Sequence, residues 1–122
     1  MKKLSASTGS ILATYSVPGP TDVVFDGSHV WVVSIGANSV TKMTTAGVVV
    51  GTYAVGSGPV NAVFDGSSLW VSNFSGNTVS KLAVSNGAVL GTYPVGASPF
   101  GLAFDGANIW VANSGAITVS KL

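Results

Sequence analysis

A unit of about 40 residues recurs through this chain, and that period constrains its fold more than any other feature. Phe25-Asp26-Gly27 leads to Val30-Trp31-Val32, Phe64-Asp65-Gly66 to Leu69-Trp70-Val71, and Phe104-Asp105-Gly106 to Ile109-Trp110-Val111. Lys3, Lys42, Lys81 and Lys121 keep a spacing of 39 to 40 residues. Tyr15, Tyr53 and Tyr93 each stand two residues before Val17, Val55 and Val95. Repeats of this length build solenoids, propellers or arrays, in which each unit buries its apolar face against a neighbour.

No stripe with helical period appears, and Val, Ile, Thr, Tyr and Trp fill the segments between turns, as strands prefer. In the middle unit a first strand runs from Val60 to Phe64, and Asp65-Gly66 is a hairpin turn in which glycine takes the positive φ. A second strand runs from Leu69 to Asn73, a third from Thr78 to Ala83 and a fourth from Val89 to Val95, with turns at Phe74-Ser75-Gly76-Asn77 and Ser85-Asn86-Gly87. Four antiparallel strands in about 40 residues make one blade of a β-propeller. The competing repeat fold, a parallel β-helix, has shorter coils and lacks Asp-Gly hairpins. Charged residues are only 7% and hydrophobic ones 47%, against roughly 25% charged in an ordinary domain, which suits sheets buried on both faces. The expectation is an all-β chain of three four-stranded blades, as repeats 4–42, 43–81 and 82–122.

Net charge is +1 from five scattered lysines without arginine, so no concentrated basic surface for nucleic acid is expected. Without cysteine there is neither a disulfide framework nor a thiolate zinc site. Met1-Lys2-Lys3 looks like the basic start of an export signal, but Ser5-Ala6-Ser7-Thr8-Gly9-Ser10 follows where an apolar stretch is needed. Every apolar run falls short of the roughly 18 residues that span a bilayer. The chain reads as soluble, with no membrane partner.

The string FDGANIWVANSGAITVSKL, with its relatives from Phe25 and Phe64, resembles the YVTN and NHL-like propeller repeats of bacterial proteins, including those of virginiamycin B lyase-like proteins. The resemblance spans residues 4 to 122. It implies the blade, with the first strand innermost and the fourth outermost, and it is unspecific for function. The lyase of that family relies on histidine and glutamate with a magnesium ion. This chain has one histidine and no glutamate, so that activity is not carried over.

Read in blade phase, the chain opens with a fourth strand, Ile11 to Val17, and closes with a third, Thr118 to Leu122. The two ends are complementary. Closure within one chain would give three blades, below the usual four to eight. Two chains give six and three chains nine, and the two-fold dimer is the commonest oligomer. A homodimer forming a six-bladed ring is therefore expected, with strand 11–17 completing the partner's last blade; a homotrimer is the variant.

Few residues offer chemistry. Asp26, Asp65 and Asp105 repeat in the Asp-Gly turn, where aspartate bonds the turn backbone. Asp22 aligns with Asn61 and Gly101 near the axial channel, and one carboxylate per chain is a poor metal site. His29 aligns with Ser68 and Asn108 at an exposed turn, remote from Asp22, which argues against an acid-base pair. The three tryptophans could stack on sugars, but their shared environment favours packing between blades. No Gly-Lys-Ser/Thr phosphate loop, Gly-x-Ser-x-Gly elbow or Cys-His metal spacing occurs. The expectation is a non-enzymatic, self-assembling unit without cofactor or metal, as a minimal, fragmentary or designed propeller scaffold. The alternative is a small-ligand or peptide binding module at the channel mouth, lined by Asp22, Asn61, Asn38, Asn73, Asn77 and Asn113. A lyase-like enzyme is the weakest reading.

Overall fold

The computed structural model describes residues 1–122 as strands joined by tight turns, with one 3₁₀ turn at Ile35–Ala37. β1 (Lys2–Leu4) and β2 (Ile11–Thr14) form an N-terminal pair. β3 (Pro20–Phe25), β4 (His29–Ser34), β5 (Ser39–Thr44) and β6 (Val49–Ala54) make a first sheet. β7 (Pro59–Phe64), β8 (Ser68–Asn73), β9 (Thr78–Ala83) and β10 (Val89–Pro94) make a second. β11 (Pro99–Phe104), β12 (Ile109–Asn113) and β13 (Thr118–Lys121) make a third, of three strands. Every pairing is antiparallel between sequence neighbours, so each sheet is a meander. No helix is long and apolar enough to cross a membrane.

The hairpins follow from the turn residues. Gly27, Gly66 and Gly106 hold φ of 97°, 96° and 99°, a region closed to most side chains. Beside each, the aspartate Oδ1 accepts two successive amides; Asp65 takes those of Ser67 at 2.9 Å and Ser68 at 2.7 Å. Its Oδ2 accepts the Trp70 indole N–H at 2.8 Å, and Asp26–Trp31 and Asp105–Trp110 repeat this at 2.7 Å. The turn thus fixes the rotamer of the tryptophan on the next strand.

That tryptophan is the main wedge between sheets. Trp31 packs with Val33 and Val40 of its own sheet against Ala62, Leu69, Val71 and Leu82 of the next. Trp70 and Val79 meet Ile109, Val111 and Leu102 in the same way. Each wedge stacks on a tyrosine from the outer strand of its sheet, with ring centroids 5.7 Å apart for Trp31 and Tyr53 and 5.6 Å for Trp70 and Tyr93. Burying such rings contributes on the order of 2–3 kcal/mol each by area alone, so sheet-to-sheet contact, not the isolated sheet, carries the stability.

The N-terminus departs from expectation. The outer strand read as 11–17 is shorter, Ile11–Thr14, and it is preceded and paired by β1. Lys2-Lys3-Leu4 matches Ser80-Lys81-Leu82, the inner part of a third strand. The Lys3↔Ala13 pairing reproduces Lys81↔Gly91 and Lys42↔Gly51. The physical reason is edge satisfaction: β2 alone would present unpaired backbone, and β1 covers it, with the Tyr15 amide donating to the Met1 carbonyl at 2.8 Å.

Candidate functional site

The polar residues near the loops are engaged by the fold itself. Asp22 on β3 accepts the Val23 amide at 2.9 Å through Oδ1 and, through Oδ2, the Ala62 amide of the neighbouring sheet at 2.8 Å. It is a strut between sheets. Asn38 and Asn77 occupy left-handed turn positions, φ 49° and 54°, and their Oδ1 atoms accept the Gly58 and Ser98 amides, each at 2.9 Å. They clasp the loop that leads into the following sheet.

Asn73 and Asn113 end the second strands of their sheets and are buried. Asn73 Nδ2 donates to Thr78 Oγ1 at 3.0 Å and Ser80 Oγ at 2.9 Å, and Asn113 does the same to Thr118 and Ser120 at 3.2 and 2.9 Å. This orientation satisfies both N–H groups and leaves each Oδ1 without a donor, as is the Oγ of Ser34 at the equivalent position. Asn61 is half-buried, and its backbone carbonyl accepts the Ser72 hydroxyl at 3.4 Å. His29 Nδ1 lies 3.0 Å from Ser28 Oγ, beside the Asp26 turn and away from Asp22. No group of three or more His, Cys, Asp or Glu side chains is placed to hold a metal.

The turn carboxylates are tuned by the same clasps. Burial works against the charge of Asp26 and Asp65, but the Trp31 and Trp70 indoles with the turn amides outweigh it and hold both below the ordinary value. Exposed Asp105 is likewise held below the ordinary value by the Trp110 indole and the amides of Asn108 and Ala107. A carboxylate bound this firmly as an acceptor suits structure better than proton transfer.

The irregular places are the two end faces. Trp31 and Trp70 are 0% and 9% exposed, whereas Trp110 is 39% exposed and Val119 beside it 64%. Asp105 and Lys121 nevertheless hold Trp110 in the posture of the others: Lys121 Nζ lies 5.4 Å from its ring centre, as Lys42 and Lys81 lie 5.3 and 5.0 Å from theirs. At the opposite end, Val23, Val30 and Met43 occupy the positions of Ala62, Leu69 and Leu82, the residues that receive Trp31. There they wall a cavity of about 220 Å³ whose other side is formed by Met1, Lys2 and Lys3 at the N-terminus, with Tyr15, Thr45 and Gly47 around the rim. An unclosed arc of three blades is expected from its repeat phase to show an apolar face at each end; the coordinates add that Trp110 and Val119 form one and Val23, Val30 and Met43 the other.

No family model and no curated protein matches the chain. Solved structures do. Virginiamycin B lyase from Staphylococcus aureus superposes with a TM-score of 0.84 at 23% identity, over 98% of this chain and 43% of that one. A streptogramin B lyase gives 0.80 at 22%, over 98% and 46%. Hydrazine synthase from Kuenenia stuttgartiensis gives 0.78 at 26%, over 94% and 35%. The chain thus spans less than half the length of each of these. Together with the all-β meanders, these likenesses show that the chain has the β-propeller fold found in virginiamycin B lyase and streptogramin B lyase.

Proposed function

We propose that this chain is a non-enzymatic assembly unit, a three-blade propeller arc that closes with a second copy into a six-bladed ring. The exposed Trp110 and Val119 carry the reading, since the same positions are buried wherever a next sheet follows. A half-covered apolar face and the free edge of β13 both favour association. Six blades fall inside the usual four to eight; a three-chain ring would need nine. The four carboxylates support a non-enzymatic role, because all accept backbone amides and three of them also an indole. The lyase and synthase named among the similar structures cover more than twice this length, and their chemistry is not proposed for this chain.

Hydrogen exchange tests the reading. In an assembled ring the amides of residues 118–122 exchange about as slowly as those of β9, their counterpart in a four-stranded sheet. Exchange at the rate of an uncovered edge at every protein concentration would overturn it.

A further inference from the structure

We infer that the cavity walled by Val23, Val30, Met43 and Tyr15 is the socket for Trp110 of a second copy, whose β13 takes the place that β1 holds on β2. The inference rests on the assembly reading and names the contact that makes it. The socket is built from the positions that receive Trp31 within the chain. With Met1, Lys2 and Lys3 still among its walls the cavity is already about 220 Å³, above the roughly 150 Å³ of an apolar cavity that holds benzene, and departure of β1 opens that side to the incoming strand. Trp110 is already held in the inserting posture by Asp105 and Lys121, so little side-chain freedom is lost on docking.

The lysines argue independently. Within the chain Lys42 does two things: it covers the Trp31 ring, and its Nζ donates to the Val84 carbonyl of the next sheet at 2.6 Å. Lys3 does only the second, donating to Thr45 at 2.9 Å, whereas Lys81 and Lys121 do only the first. Lys3 and Lys121 are the same repeat position, so the two halves of one interaction are split between the ends. When β13 of a second copy replaces β1, Lys121 does both, as Lys42 does. Met1-Lys2-Lys3-Leu4 is then a placeholder for Val119-Ser120-Lys121-Leu122, covering the β2 edge until the partner strand arrives.

The tyrosine contacts agree. Tyr15 and Tyr53 lie over Gly47 and Gly87 in the outer turn of the following sheet. Gly9, the corresponding glycine of the N-terminal pair, has nothing above it within 4 Å. In the closed ring Tyr93 of the second copy covers Gly9, and Tyr15 stacks on that copy's Trp110.

Because the chain has no cysteine, paired substitutions read the register directly. By the observed Ser80↔Thr92 and Lys2↔Thr14 pairings, Thr14 faces Ser120 of the second copy after exchange and Lys2 of its own chain before it. With oxidised glutathione, Thr14→Cys/Ser120→Cys is expected to give a covalent two-chain species. Lys2→Cys/Thr14→Cys is expected to close within one chain and block assembly. Trp110→Ala should weaken association roughly 30-fold or more, as a central aromatic anchor does. A two-chain mass without cross-linking of Thr14→Cys/Ser120→Cys, or with unchanged affinity in Trp110→Ala, overturns this contact and leaves the assembly reading standing. Assembly of the Lys2→Cys/Thr14→Cys protein while its disulfide is closed overturns the exchange, and a single-chain mass throughout overturns both readings.

Discussion

At the scale of single residues, the repeated aspartates bind the fold to pH. Asp26, Asp65 and Asp105 are all held below the ordinary value of 3.8 by indole and amide donors in the folded chain. A carboxyl depressed on folding contributes stability that is fully present above its unfolded value and is lost as pH falls through its folded one. Unfolding midpoints should therefore be unaffected by these groups down to about pH 4 and should fall below it. Carboxyl resonances in NMR check this residue by residue: all three should remain mostly ionised at pH 3.8, and half-protonation of any of them there would contradict the clasp. Ile117 makes the opposite case. It aligns with Asn38 and Asn77 but places a β-branched side chain at φ 55°, 97% exposed. Ile117→Asn should gain about 1 kcal/mol in chemical denaturation by relieving the left-handed strain, and a loss would show that the isoleucine is held there by contacts.

At the scale of elements, hairpins were the most legible part. Asp-Gly pairs and periodic glycines mark turns by backbone chemistry alone, and the strands read in the middle unit differ from the observed ones by a residue or so, as Val60 to Phe64 does from Pro59–Phe64, while the strand read as 11–17 stops three residues early. β1 was not read as a strand although Lys3 keeps the lysine period, because three residues without a preceding turn are too short to show strand alternation; tertiary pairing makes them a strand. The asparagines were harder. Their spacing placed Asn38 and Asn77 at turns, but only coordinates show that their oxygens clasp the following loop, and Asn73 and Asn113 face inward instead of lining a channel mouth. The outer turns yield a paired prediction. A methyl added at Gly87, φ 70°, would overlap the Tyr53 ring, so Gly87→Ala should cost about 2 kcal/mol in thermal or chemical unfolding. Gly9→Ala, at φ 74° in open space, should cost only about 1 kcal/mol within the chain and, in the proposed ring where Tyr93 of a second copy covers this position, should lower the assembled fraction. Equal effects of the two on both properties would refute the inter-chain tyrosine contact.

At the scale of the whole molecule, the period announced the propeller because no unit of this kind buries its wedge alone, and the likeness to the lyases bears out that fold. Equivalent residues such as Trp31 and Trp110 have similar neighbours in sequence, Val-Trp-Val and Ile-Trp-Val, and opposite exposure in space. The proposed closure by a second copy rests on that asymmetry. The most direct measurement is the mass in solution by light scattering across a concentration series. The account predicts two chains, about twice 12.1 kDa. A mass that stays at 12.1 kDa for this 122-residue chain at all concentrations would contradict it.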